Sequence, residues 1–479
     1  MYEALLAYQR RGVTALHTPG HKGVFAPQGL EAFLTPLGLA CDLPAMDETD
    51  HLFHPQGPLA QAQRLAADLY GAAETFYLSN GSTIGVQAMI LAAVAPGEKI
   101  LLTRSFHLAT FSALVLSGAI PVYLPARWLD VAGPIPPTLA EIAQCVQAHP
   151  DIRAIFLVHP SYYGLGRFPE ELVAFCRQRN LLLLVDEAHG AHLKLLPPGF
   201  LLSALDYGAD VVVQSVHKTL CSLVGTAQLH LAHGSRVSAE RLQRALNLLQ
   251  STSSSYLLFA SLDLARRWAW QSGRQAFQDA LRSCSALRAQ LQMIPGIRPL
   301  EPADVPELAG CGFDPTRLVV DVSGLGFAGV QLETLLQEEF QIGVEFCDQR
   351  NAVFVLGPGD AQDAYARLVR AFWKLAEARR PQKTLAHASL RPLIVPPLAL
   401  FPREAALRPG TRVPLPQAAG RVCGELITVY PPGIPLICPG ERFTPEVVEM
   451  CEELRARDVS VFASDSSLAT VTVLDLVRP

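Results

Sequence analysis

Between residues 75 and 232 the chain repeats one pattern, a short apolar run, then a turn, then a stretch with helical spacing. The runs at 75–78, 99–103, 119–124, 154–159, 181–185 and 210–214 are close to continuously apolar. A strand of that kind has no wet face, so it fits a parallel sheet covered by helices on both sides. Helical patterns at 84–94 and 110–117 supply such covers. This alternation predicts an α/β layer fold built on a mostly parallel sheet.

Composition narrows the classes further. Half of the 479 residues are hydrophobic and 17% are charged, which excludes a disordered chain. Lys and Arg number 39 against 44 Asp and Glu, a net charge of −5, so nothing grips a phosphate backbone and nucleic acid is not an expected partner. The closest of the ten cysteines, Cys438 and Cys451, are too far apart for a zinc or C-x-x-C motif, so no metal is expected. Scattered thiols, no secretory apolar region in residues 1–11, and no run of ~18 apolar residues predict a cytoplasmic protein without a membrane segment. Helical spacing over 236–249 and 260–292 leads out of the first unit. A second α/β pattern follows, with strands at 317–322, 343–346 and 352–356 and helices at 329–340 and 360–377. Prolines are frequent from 380 to about 445, around one expected strand at 425–430. The expected division is an arm at 1–50, a large domain at 51–295, a small α/β domain at 296–378 and a C-terminal domain at 379–479.

The chemistry gathers where strands end. Ser215-Val-His-Lys-Thr219 follows the 210–214 strand, at the edge where open α/β sheets hold ligands. A lone lysine is usually a solvated charge, but a buried one shifts its pKa readily and forms a Schiff base with a carbonyl. Asp186-Glu-Ala-His-Gly190 ends the preceding expected strand, so if the two strands are parallel neighbours Asp186 and Lys218 share a rim although 32 positions apart. An acid there can pair with the protonated ring nitrogen of pyridoxal phosphate (PLP). Ser79-Asn-Gly-Ser-Thr83 joins a strand to a helix, with Gly81 for the turn and helix N–H groups for a phosphate. The plainer reading of that motif is helix capping. His107, after the 99–103 strand, can stack on an aromatic ring, and Ala188 is small enough to let a ring lie on the other side.

In this order the motifs resemble the Orn/Lys/Arg decarboxylase family, in its short form, of the aspartate-aminotransferase-like PLP fold. Thr18-Pro-Gly-His-Lys-Gly23, Leu52-Phe-His-Pro-Gln-Gly-Pro58, Ser254-Ser-Tyr-Leu-Leu258 and Tyr430-Pro-Pro-Gly-Ile-Pro-Leu436 extend the match, from residue 18 to about 445. The resemblance implies that Lys218 bonds the cofactor, Asp186 partners its ring nitrogen and His107 stacks on the ring. Ala188 and His189 would line the cofactor, and Gly81, Ser82, Thr83, Ser215 and His217 its phosphate side. It further implies that Thr252 or Ser253 reaches the site of a neighbouring subunit, in a homodimer or higher homo-oligomer. The implied reaction is decarboxylation of a basic amino acid in polyamine metabolism: arginine to agmatine by analogy with short forms, or else lysine to cadaverine or ornithine to putrescine. His217 and Lys218 are candidates to return a proton to Cα, and Asp47, Asp50 and Glu441 to meet the distal cation. The long forms carry an N-terminal wing before the Thr-Pro-Gly-His-Lys motif, which here starts at residue 18, so a wing-dependent decamer is not expected.

Two rivals remain. An aminotransferase of the same fold would clamp the substrate carboxylate with an arginine, for which Arg317 and Arg350 are available. The other is a non-catalytic PLP-binding regulator, although length and charge leave no room for a DNA-binding domain. Cys221, near Lys218, reads as a small core residue rather than a nucleophile.

Overall fold

The structure is a computed structural model that describes residues 12, 14–17, 22, 43–46, 49–124, 126–326, 329–378, 389–429, 433–456 and 461–475. Asp47, most of the 18–23 motif and residues 430–432 lie outside the described residues. Seven strands form the central sheet: β1 (Glu74–Leu78), β2 (Lys99–Thr103), β3 (Ile120–Leu124), β4 (Ile152–Val158), β5 (Leu182–Asp186), β6 (Val211–Gln214) and β7 (Ala227–Leu231). Their spatial order is β1-β7-β6-β5-β4-β2-β3. Only β7 runs against its neighbours β6 and β1; the other pairings are parallel.

Both faces of this sheet are buried, as the apolar runs require. Ile100, Leu102, Phe156, Leu184 and Val213 pack with helices on one side. Leu101, Ile155, Leu157, Leu183 and Val212 pack on the other, with Ala67 and Tyr70 of α1 (Pro58–Tyr70). The first face is covered by α2 (Gly81–Ala93) and α3 (Leu108–Ser117), apolar almost all round. Each such leucine or phenylalanine contributes about 1.5–3 kcal/mol by leaving water. β7 has no apolar run to announce it, because Gln228 and His230 interrupt it. His230 is nevertheless fully buried, held by Thr75 Oγ1 at 2.8 Å and Gln214 Oε1 at 3.1 Å.

The 260–292 stretch is α4 (Tyr256–Trp268) and α5 (Arg274–Gln292), joined by a π turn over Ala269–Gly273 that changes which faces they present. Phe277 of α5 packs beside α4, while Cys284, Leu287 and Leu291 belong to a second core. That core lies under a four-stranded antiparallel sheet of β8 (Arg298–Pro299), β9 (Arg317–Asp321), β10 (Phe346–Cys347) and β11 (Asn351–Val355), in the order β8-β9-β11-β10. The helix α6 (Ala364–Ala378) covers it with Leu368 and Phe372. The single strand expected at 343–346 is two. Ile342–Val344 pairs in parallel with Thr14–Leu16, β10 pairs with β11, and the chain bends between them at Glu345.

Beyond residue 396 a third core gathers the strands Ile427–Val429 and Ile434–Ile437, the antiparallel pair of Gly410–Pro414 with Thr470–Leu474, and the helix Pro445–Ala456. Among the described residues no helix is long and apolar enough to cross a membrane.

Candidate active site

The site forms where β1, β2, β5 and β6 deliver their carboxyl ends to one edge. Asp186 is the last residue of β5 and stands in register with Val213 of β6. Its Oδ1 accepts the Ala188 N–H at 3.0 Å, which fixes the carboxylate in the turn. Four residues past β6, Lys218 sits in the single helical turn Val216–Thr219. Between β1 and α2 the chain turns at Gly81, whose φ of +71° suits glycine, and the Asn80 side chain leaves the helix amides uncapped. Ser215 Oγ donates to Ser82 Oγ at 2.8 Å, tying this turn to the lysine loop. After β2, His107 caps α3 by accepting the Ala109 N–H at Nδ1, 3.2 Å away.

Ser82, His107, Asp186, Ala188, His189 and Lys218 line one cavity of about 310 Å³. Burial there opposes charge on Asp186, Lys218, His107 and His189. It pushes the Asp186 carboxyl up, while Lys218 and His107 pull it back. Burial lowers Lys218, with Arg317 adding to the effect and Asp186 and Glu345 opposing it. It lowers His107 too. His189 falls well below the usual histidine range through burial, then through the Lys218 and Arg317 cations. Its Nε2 lies 2.9 Å from Lys218 Nζ and its Nδ1 3.1 Å from Arg317 Nη2.

Several expected residues stand elsewhere. Gly81 and Thr83 lie in the first turn of α2 and Ser215 follows β6; none of the three is in the cavity lining. His217 turns its Nδ1 to the Thr226 carbonyl at 2.8 Å and is not among the residues that line the cavity. Thr252 and Ser253 are exposed and outside this chain's own cavity. Asp50 does not offer its carboxylate to a substrate: it accepts the backbone N–H groups of His51, Gln56, Gly57 and Ala60, organising the loop before α1. Glu441 is likewise withdrawn, fully buried against Arg104 with Nη1–Oε1 at 2.7 Å and Nη2–Oε2 at 2.8 Å. Arg350 is bound to Asp321, and Arg317 stands behind His189 rather than in the lining. Cys221 is a buried core residue whose thiol burial pushes up to about 12.

Glu345 is the residue that sequence reading missed. At the break between two short strands it enters the cavity lining, and its Oε1 accepts the Tyr162 hydroxyl at 2.8 Å. Tyr162 stacks on Phe346 at 4.7 Å and meets the His189 ring edge-on at 4.6 Å. A glutamate inside an apolar strand pattern was the available signal.

The residues fit PLP by their chemistry: a half-buried amine, a buried carboxylate, an imidazole and the small Ala188 lining one cavity, with two hydroxyls at a helix N-terminus that has no side-chain cap. This sheet order and rim site define an α/β enzyme of the aspartate-aminotransferase-like class.

Comparison with known proteins narrows the class. The Orn/Lys/Arg decarboxylase major-domain model matches residues 1–364, and the C-terminal-domain model of that family matches residues 396–459. The chain is 34% identical to the arginine decarboxylase of Bacillus subtilis (strain 168) over 455 residues, covering 93% of this chain and 91% of that one. Lysine decarboxylase A from Pseudomonas aeruginosa shares the fold, with a TM-score of 0.76 and 20% identity over 98% of this chain and 81% of that one. So does alanine–glyoxylate aminotransferase from Nostoc sp., with a TM-score of 0.56 and 20% identity over 76% of this chain and 95% of that one. The chain belongs to the Orn/Lys/Arg decarboxylase family and is an amino acid decarboxylase of basic substrates. Family and fold together imply PLP.

Proposed function

We propose that this enzyme decarboxylates L-arginine to agmatine with PLP, as a cytoplasmic homodimer. The observation that carries the reading is a half-buried lysine and a buried aspartate lining one cavity, in a chain 34% identical to an enzyme named arginine decarboxylase. Lys218 would hold the cofactor through Nζ and Asp186 its ring nitrogen. His107 and Ala188 would flank its ring, and Ser82, Ser215 and the α2 amides would take its phosphate. Thr252 and Ser253, exposed here, would complete the partner subunit's site. When bound, PLP supplies the electron sink that lets the Cα–carboxylate bond break.

The chain's own residues supply the remainder. Asp186, desolvated and fixed by the Ala188 N–H, would offer its negative charge to the ring nitrogen without reorganising. Lys218 Nζ, beside His189 Nε2, moves the proton that replaces the departing carboxylate. Apart from Asp186, Glu345 is the carboxylate lining the cavity among the described residues, so it would meet the guanidinium of arginine.

The test is carbon dioxide release from arginine, lysine and ornithine in parallel by the PLP-loaded enzyme. Arginine should release it fastest, and Lys218→Ala should abolish release. Preference for lysine or ornithine overturns the substrate assignment. Release that survives in Lys218→Ala overturns the site. Glu345→Gln should raise KM for arginine about 10–100-fold, the loss of one charge-assisted bond.

A further inference from the structure

Three side chains from two parts of the fold form a hydrogen-bonded line: Arg317 Nη2 to His189 Nδ1 at 3.1 Å, and His189 Nε2 to Lys218 Nζ at 2.9 Å. Lys218 and His189 come from the rim of the large sheet, whereas Arg317 opens β9 of the small sheet. The line is tightly seated. Arg317 is fully buried and its carbonyl accepts Arg288 Nη2 at 2.6 Å. Gly164, at φ +88°, packs directly on it, so any Cβ there would lie 2.6 Å from that of Arg317.

The donor inventory gives this line a direction. A guanidinium only donates and stays charged. His189 Nδ1 must therefore accept, and a neutral imidazole then carries its one proton on Nε2. That N–H points at Lys218 Nζ, and it can be accepted only by an amine with a free lone pair, not by an ammonium. The same geometry with Lys218 protonated would set a proton against a proton. We propose that Arg317 is a positioning residue that acts through His189 to hold Lys218 Nζ as a neutral, proton-accepting amine. This role deepens the decarboxylase reading, since a neutral amine is the form able to bond a carbonyl.

The charged surroundings support the direction. Asp186 and Glu345 favour the Lys218 ammonium, and burial with Arg317 disfavours it. Around His189 stand Lys218, Arg317, His107 and His217, all cations or potential cations, with the Tyr162 ring on its edge. Arg317 Nε and Nη1 make no hydrogen bond among the described residues, so a rival role is a clamp for a substrate carboxylate.

Three readouts separate these roles. In the full chain freed of cofactor, pulse labelling with acetic anhydride across a pH series, read by mass spectrometry, follows deprotonation of Lys218. Its midpoint should lie below the ordinary lysine value of about 10.4. It should rise by about one unit in Arg317→Met and stay low in Arg317→Lys, which keeps charge and donor. In the unaltered protein, nitrogen-15 NMR of histidine should show His189 protonated at Nε2. That measurement stands even where Arg317→Met fails to fold. In the PLP-loaded enzyme, Arg317→Lys should keep kcat. An Nδ1-protonated His189, or a Lys218 midpoint unmoved in folded Arg317→Met, overturns the proposal. So does a loss in Arg317→Met confined to KM, which marks the clamp. The labelling and NMR need no decarboxylation, so failure of this role and failure of the substrate assignment are distinguishable.

Discussion

Asp186 and Glu187 are chain neighbours, both buried, yet they face opposite ways and meet different partners. Asp186 looks into the cavity. Glu187 looks into the protein, where Ser203 Oγ, the Ala204 N–H and Gln214 Nε2 donate to it at 2.8, 2.6 and 2.6 Å. Burial outweighs those donors and raises its carboxyl to about 8. A folded pKa above the unfolded one means the folded state holds the extra proton, so this contribution is full at low pH and is lost as pH rises toward about 8. Urea unfolding at pH 5, 7 and 9 should show the stability of the wild type falling relative to Glu187→Gln across that window. Asp186→Asn should instead leave stability nearly unchanged and lower kcat by about 10²–10³-fold, the scale for removing one preorganised charge contact. Measured kcat within a few-fold of wild type would remove Asp186 from the chemistry.

Single elements carry loads that the sequence did not announce. The buried Arg104–Glu441 pair ties the turn after β2 to the C-terminal unit, with Arg104 Nη2 also donating to the Leu436 carbonyl at 3.1 Å. Tyr123 lies 5.1 Å under the guanidinium, a cation–π contact. Truncating one member of a buried pair strands the other charge and costs about 3–5 kcal/mol. Glu441→Ala should therefore lower the midpoint of urea unfolding sharply. In whatever fraction stays folded, KM for arginine should hold, in contrast to Glu345→Gln. A raised KM with unaltered stability would return Glu441 to the substrate. The pair also shows why carboxylate guesses go wrong: an acid near the end of a family motif looks free until its cation, 337 residues away, is seen beside it.

For the whole molecule, the proposed homodimer has Thr252 and Ser253, exposed here, completing the site of a second subunit. Sedimentation should find a dimer or larger species. The double variant Thr252→Ala, Ser253→Ala should bind PLP more weakly without unfolding. A monomer that binds PLP with full affinity excludes the shared site.

The amino-acid sequence by itself determined the α/β layers and the placing of the motifs at the rim, because strands buried on both faces are mostly apolar along their whole length and a motif at a strand end inherits that strand's edge. The positions of Lys218, Asp186, His107, Ala188 and Ser82 were legible on that ground. The antiparallel β7 was not, since its buried Gln228 and His230 imitate a polar stretch until Gln214 and Thr75 are seen to satisfy His230. Neither was the break at Glu345, nor the engagement of Asp50, Glu441 and His217 with partners of their own. Those outcomes depend on contacts between distant segments. A side chain's chemistry is set by what desolvates it and by which donors and charges stand within a few ångströms, and only the tertiary structure decides that.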